Sequence, residues 1–292
     1  MLTSTSLRHF LSAHPAAICA ELTAVRGSSP RESGAFMLID TDHTLGTVGG
    51  GALEYLVIGR ARQVLRDGLP GDALDIPLGP EIGQCCGGRV EVGLRLVGDA
   101  LAARLVAKIE AQEAARPHVY LFGSGHVGRA LARALALLPL RVHVVDTRPE
   151  ELAGLPEGVE ARAVALPEAV VRSAARGSCY VILTHDHALD FLIAGEALKR
   201  DDAPYIGMVG SKTKRARFAS WYLGEGGDRG ALDRLALPIG GQAFPRGLGD
   251  KRPEVIAALA AAEIMVQIGR REARAASIER VTVTRVGAVD GR

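Results

Sequence analysis

Apolar and polar positions alternate differently in the two halves of the chain. In the first half, an amphipathic segment at residues 2–13 leads into an apolar run at 17–25 that reads as a strand. Residues 26–34 hold only turn formers and charge, and read as a loop. Two short strands at 35–39 and 45–48 flank a turn at 40–43. Three consecutive glycines, Gly49, Gly50 and Gly51, then precede a helical pattern at 52–66. Residues 74–76 are strand-like, 79–88 form a second loop, and 89–97 alternate as a half-buried strand does. The pattern predicts an α+β domain over residues 1–98.

An Ala-rich, charged helix over 99–116 reads as a connector, and beyond it the rhythm changes. Continuous apolar strands at 118–122, 141–146, 178–183 and 203–209 alternate with helical stretches, one ending near Leu138 and one at 187–200. Strands that are apolar on both faces and separated by helices predict a parallel sheet covered on both sides. The fold class is therefore α/β: the N-terminal α+β domain followed by a Rossmann-like parallel-sheet domain over 117–276. An Ala-rich helix at 253–268 closes that domain. The chain from Ala273 onward reads as a final strand or an arm, with a tail at 277–292.

Composition narrows the function classes. A hydrophobic content of 48% excludes a disordered chain. Lys plus Arg number 35 against 33 Asp plus Glu, a net charge of +2, which gives no footprint for nucleic acid or an anionic membrane. The first residues carry no signal-peptide pattern, and no apolar run is long and unbroken enough to span a bilayer. Cys85 and Cys86 are adjacent and bridge only with strain, so with Cys19 and Cys179 they read as reduced thiols in a cytoplasm. Cys19 and Cys179 fall in strands and read as core. Glycine stands out, with 35 of 292 residues, and points to close backbone approach in several loops.

Those glycines cluster where chemistry would sit. Gly123-x-Gly125-x-x-Gly128 follows a strand and opens a helix, with Asp146 ending the next strand. This is the arrangement that aims backbone amides at a phosphate and a carboxylate at a ribose hydroxyl. His126, inside that loop, is a phosphate donor or a solvent-facing loop residue. Gly49, Gly50 and Gly51 with Glu54 form a second strand-to-helix turn, read as an anion or ring site, with Arg31 as a phosphate candidate. Glu54 serves there as a ligand group or simply as a carboxylate favoured by the helix dipole. Cys85 and Cys86, between glycines that include Gly87 and Gly88, read as a functional thiol loop: nucleophile, soft-metal ligand or persulfide carrier. His185 and Asp186, with His187 and Asp190, lie where ligands bind at the carboxyl edge of a parallel sheet. A metal set there competes with Asp186 as a helix cap. Gly210, Ser211 and Lys212 close another strand without P-loop spacing, and read as phosphate contacts or as a plain helix start.

Taken in order, the motifs resemble the XdhC/CoxI family of xanthine dehydrogenase accessory proteins. The matching residues are Gly27-Ser28-Ser29-Pro30-Arg31, Gly46-Thr47-Val48-Gly49-Gly50-Gly51 with Glu54, and Cys85-Cys86-Gly87-Gly88. They continue with the Gly123 to Gly128 loop, Asp146-Thr147-Arg148, Thr184-His185-Asp186-His187, the Tyr205 to Lys214 segment, Pro238-Ile239-Gly240 and Ala262-Glu263-Ile264. Residues 241–245 depart from the Gly-Leu-x-Ile-Gly pattern common in the family. The resemblance implies a cytoplasmic carrier, not an enzyme, that binds molybdenum cofactor (molybdopterin). Such a carrier protects the cofactor, supports its sulfuration and inserts it into the xanthine dehydrogenase apoenzyme. It implies a sulfurase (cysteine desulfurase) or a cofactor-biosynthesis protein as a further partner, a homodimer, and Arg148 among the site residues. A thiolate at Cys86 would be the molybdenum contact. The competing class is an NAD(P)-dependent oxidoreductase, argued from the Gly123 to Asp146 segment alone. A third is a sulfurtransferase or nucleotide-handling enzyme with Cys86 as persulfide carrier.

Overall fold

Side chains along β1 (Ile18–Arg26) alternate between two cores, and that alternation organises the first half of the molecule. In the computed structural model the described residues are 2–83, 87–241 and 249–286. The chain divides into two units, Met1–Ala115 and Arg116–Arg292. In the first unit β1 is the centre of an antiparallel sheet with β2 (Phe36–Ile39), β3 (Thr44–Gly46), β4 (Gly71–Pro77) and β5 (Arg89–Leu96), in the order β3-β2-β1-β5-β4. Helix α2 (Gly51–Arg66) lays Leu53, Val57, Ala61 and Val64, one helical face, against Ile18, Ala20 and Leu22. On the opposite face α1 (Ser4–Ala13) and α3 (Asp99–Ala114) bury Leu7, Phe10, Leu105, Val106 and Ile109 against Cys19, Phe36 and Leu38. Helix α3, read from sequence as a connector, is thus part of the first unit's core.

The second unit is a parallel sheet of β6 (His118–Phe122), β7 (Arg141–Asp146), β8 (Glu160–Ala163), β9 (Cys179–Ile182), β10 (Ile206–Met208) and β11 (Leu235–Ala236). Its order is β11-β10-β9-β6-β7-β8. The chain enters at β6, winds outward to β8, then returns to β9 on the other side of β6. That reversal is the doubly wound topology, with its switch point between β6 and β9. Helices α4 (His126–Ala136) and α8 (Pro253–Val286) cover one face. The other is covered by α5 (Pro167–Ser173), α6 (His187–Lys199) and α7 (Lys212–Gly224). The expected fold class, an α+β domain followed by a Rossmann-like parallel sheet, is what the chain adopts.

Two further features differ from the sequence reading. β8 and α5 were not anticipated, because Glu160-Ala161-Arg162-Ala163 has no apolar run and is exposed or half-buried. The chain beyond Ala273 is not a strand or an arm up to Val286: α8 continues through it. Its Ala, Arg and Glu residues are strong helix formers that extend the preceding helix, and they outweigh the β-branched residues at 281–284 that suggested a strand. Among the described residues no helix is long and apolar enough to cross a membrane. Cys19 and Cys179 are buried free thiols, as expected for core residues. Burial pushes them up to about 11 and about 12, so neither is a thiolate at neutral pH.

Candidate functional site

The first unit's loops that carry Gly27, Gly49 and Gly88 sit at one edge of its sheet, where β1, β3 and β4 end and β2 and β5 begin. The Gly27–Gly34 loop packs against the other two. A Cβ on Gly88 would lie 2.0 Å from the Ser28 carbonyl oxygen, and one on Gly49 would lie 2.8 Å from Pro30 Cγ. Gly88 is buried and Gly87 exposed with φ +68°. The 79–86 loop is closed at its neck by the Leu78 amide on the Gly88 carbonyl, 2.8 Å, and the Gly87 amide on the Leu78 carbonyl, 2.9 Å. Cys85 and Cys86 themselves lie outside the described residues. Arg31 is exposed beside a shallow cleft that also includes Lys108 and Gln112. The structure therefore brings together Arg31's loop, the triple glycine and the flank of the cysteine loop.

The triple-glycine turn, expected to face an anion, already holds one from the chain itself. Glu54 Oε1 accepts from the amides of Val48 at 3.0 Å, Gly49 at 3.3 Å and Gly50 at 3.0 Å, and from the Thr47 hydroxyl. Burial raises this carboxyl, but those donors outweigh it and hold Glu54 below the usual glutamate range. Gly49, Gly50 and Gly51 all have positive φ, which lets successive amides point inward at one oxygen. The turn is a filled nest.

At the carboxyl edge of the second unit's sheet the situation is different. Gly123 has φ +110°, and a Cβ there would lie 2.6 Å from the Leu183 carbonyl oxygen. A Cβ on Gly128 would lie 2.1 Å from the Gly123 carbonyl oxygen, whereas one on Gly125 would meet nothing within 4 Å. The first and third glycines thus serve the fold, and the second leaves open space. Gly125 is the N-cap of α4 and supplies no side-chain cap, so the first-turn amides from His126 onward are offered outward. Ser124 is fully buried and its Oγ has no hydrogen-bond partner among the described residues.

Asp146 organises this loop. Its Oδ2 accepts from the Ser124 amide at 2.9 Å, and its Oδ1 accepts from the Arg148 amide at 3.0 Å and Nε at 3.2 Å. Burial raises the carboxyl, and these donors more than offset it, so Asp146 stays ionised below the usual aspartate range. Arg148, partly exposed, also approaches Glu151. A crevice at the switch point is lined by Gly123, Asp146, Thr147, Thr184 and His185, which places His185 beside the glycine loop.

The other expected residues lie on neighbouring strand ends. Asp186 caps α6, accepting from the Ala188 amide at 2.8 Å and the Leu189 amide at 3.3 Å. Ser211 caps α7, accepting from the Lys214 amide at 3.3 Å, and Lys212 is exposed. Gly210 packs against Lys214, where a Cβ would lie 2.6 Å from the lysine Cδ. Sequence reasoning missed the buried pair here: Lys214 Nζ contacts Asp190 Oδ2 and donates to the Val209 carbonyl at 3.0 Å. Thr184 Oγ1 donates to the other Asp190 oxygen at 2.7 Å. The pair ties the ends of β9 and β10 together. Its only sequence signal is a lysine and an aspartate 24 positions apart, which specifies nothing without the fold. Glu263 is also buried, taking the Tyr205 hydroxyl at 2.7 Å and the Gly240 amide at 2.9 Å. Residues 242–248, which include most of the departure from the family pattern, lie outside the described residues.

Comparison with known proteins matches this layout in two parts. The family model described as XdhC and CoxI family matches residues 11–76, and that of the XdhC Rossmann domain matches residues 119–264. An uncharacterized Escherichia coli K12 protein, YqeB, is 28% identical over 257 residues, 84% of this chain and 42% of its own length. The chain thus spans less than half of that curated relative. A crystal structure described as a xanthine dehydrogenase from Bacillus halodurans superposes with a TM-score of 0.75 at 20% identity. It covers 92% of this chain and 96% of that one, and at this identity it shows a shared fold.

Proposed function

The chain belongs to the XdhC and CoxI family, and we propose from that premise that it is a maturation factor for xanthine dehydrogenase. In this reading it binds molybdenum cofactor in the cytoplasm, protects it, supports its sulfuration and inserts it into the apoenzyme, working as a homodimer with a cysteine desulfurase as donor partner. The observation that carries the reading is the switch-point loop: an uncapped α4 start, open space at Gly125 and an unpartnered Ser124 hydroxyl. These donors suit a phosphate oxygen, so the residues present fit the phosphate-bearing end of a molybdopterin. When bound, the cofactor would supply a phosphate to this loop and a sulfur-ligated molybdenum for the client enzyme. The α4 amides and Ser124 would hold the phosphate, Arg148 would add positive charge, and Asp146 would fix Arg148 and the loop.

The first unit contributes less to anion binding in this reading, because Glu54 occupies the amides of the triple-glycine turn. Arg31 beside that turn remains a candidate phosphate partner. Cys85 and Cys86 enter on the family resemblance and on the softness of a thiolate for molybdenum or its terminal sulfur. An NAD(P)-dependent oxidoreductase is the second reading, favoured by the doubly wound order and by Asp146 at the end of β7. Mass spectrometry of the small molecule released from protein purified out of molybdenum-replete cells separates the two. A pterin is the expected result; NAD or NADP alone overturns the proposal. Loss of cofactor in Cys86→Ala but not in Cys179→Ala is expected, and equal retention in both removes the thiol from the mechanism.

A further inference from the structure

We propose that His14, Asp40 and His43 form a binding site for a divalent metal ion of the zinc class in the first unit. The three residues come from two places in the fold, the end of α1 and the β2–β3 turn. His14 caps the C-terminus of α1, Asp40 follows β2, and His43 precedes β3. They lie at the edge of the sheet opposite the glycine loops, so this cluster plays no part in the site described above.

Their donor atoms converge. His14 Nδ1 contacts Asp40 Oδ2, His43 Nδ1 lies 3.5 Å from the same oxygen, and one ligand atom from each residue falls within 4.8 Å of the others. A tetrahedral zinc bound at about 2.0–2.1 Å to each donor sets neighbouring donors roughly 3.4 Å apart, so shifts of about an ångström complete the set. The carboxylate is held for this role. Asp40 Oδ1 accepts from the amides of Asp42, at 2.7 Å, and His43, which leaves Oδ2 for the imidazoles. Arg62 Nε fixes the same turn by donating to the Asp40 carbonyl at 3.1 Å. The His14 ring contacts those of Phe10 and His43, with ring centroids 4.5 and 4.7 Å away.

The chemistry of the set selects the ion. Two imidazole nitrogens and one carboxylate suit a borderline cation, whereas calcium and magnesium favour all-oxygen shells and thiophilic ions favour sulfur. Three protein ligands leave a coordination position for water, and the His43 side chain, 64% exposed, leaves the site open to entry. The bound ion would pin the end of α1 to the β2–β3 turn.

The test is zinc titration of the metal-stripped full chain, followed by calorimetry and by NMR of the imidazole nitrogens. One zinc per chain is expected at this site, with the Nδ1 resonances of both His14 and His43 shifted. The Kd should rise at least tenfold in His14→Gln and in His43→Gln, and stay within twofold in Asp42→Asn. His43 is largely exposed, so its variant reports on binding even if His14→Gln disturbs folding. Unshifted ring nitrogens at saturating zinc overturn the proposal and leave an ordinary His14–Asp40 ion pair. Wild-type affinity in both histidine variants overturns it too, and places the metal elsewhere.

Discussion

Two glycine turns in this molecule lead from a strand into a helix, and they use their amides in opposite ways. The turn before α2 directs the Val48, Gly49 and Gly50 amides at Glu54, so its concave side presents a carboxylate. The turn before α4 gives only the Ser124 amide to Asp146 and leaves the helix start without a side-chain cap. Glycine supplies the backbone freedom for both nests. What decides whether a nest can receive a ligand is whether a carboxylate of the chain reaches it first.

The comparison breaks most severely at Gly128. A methyl group there meets the Gly123 carbonyl at 2.1 Å, so Gly128→Ala should cost about 3 kcal/mol and lower the melting temperature of the second unit by roughly 10 °C. Gly50→Ala has open space but φ +79°, and should cost only about 1 kcal/mol. Equal losses in the two variants would show that the clash is relieved by loop movement. Next in size is Glu54→Ala, which strips the filled nest of its anion and should destabilise the first unit by about 2 kcal/mol. Inorganic phosphate should then recover part of that loss in thermal melts of the variant, with no comparable effect on the first unit of the wild type. Lack of recovery would mean that the turn collapses once its carboxylate is gone.

Much of this was legible in the sequence, and the remainder was hidden for identifiable reasons. β6 and β7 fall at the residues expected, because a strand buried on both faces reads as an unbroken apolar run ending at a glycine or an aspartate. The Gly123-x-Gly125-x-x-Gly128 spacing gave the strand, loop and helix together, since Gly123 and Gly128 answer steric demands of that junction. Glu54 was legible as a residue in the first turn of a helix, but the direction of its side chain was not. A carboxylate four residues after Gly50 can face solvent, a ligand or the nest with the same spacing. The Asp190–Lys214 pair and the Glu263–Tyr205 contact were invisible because their partners meet only after the sheet has formed. The helical course of α8 past Ala273 was missed because continuation of an existing helix is cooperative, and local β-branched residues do not interrupt it.

Acid should separate the two units by smaller steps. His143 is buried beside His118 and Tyr120, near Glu160 and Arg162; burial, aided by Arg162 and His118, pushes it down to about 4. The unfolded chain takes up this proton near pH 6.5 and the folded chain resists it until about 4. The contribution to the second unit is therefore complete above pH 6.5 and is lost as pH falls through that window. Glu54, held below its ordinary value of 4.5, works in the first unit over a lower range: its contribution is complete above 4.5 and disappears as pH falls through the depressed value. Urea midpoints measured from pH 7 to 3 should show the second unit weakening first. His143→Phe should flatten the upper window and Glu54→Gln the lower one. A profile unchanged by either variant would assign the acid sensitivity to other groups.

The smallest structural change carries the sharpest functional consequence. Gly125 has φ −71°, and a Cβ built on it touches nothing within 4 Å, so neither backbone strain nor packing requires a glycine at this position. Gly125→Ala should therefore shift stability by less than about 0.5 kcal/mol, within the range of a neutral surface substitution. If the open space is where a phosphate approaches the α4 amides, the added methyl group stands in its path, and retention of the copurified small molecule should fall at least tenfold. Gly50→Ala, in the nest filled by Glu54, should leave retention unchanged although it costs more stability. A Gly125→Ala protein that folds and retains its ligand as the wild type does would remove the α4 start from the binding site. The contrast between the two turns would then be one of folding alone.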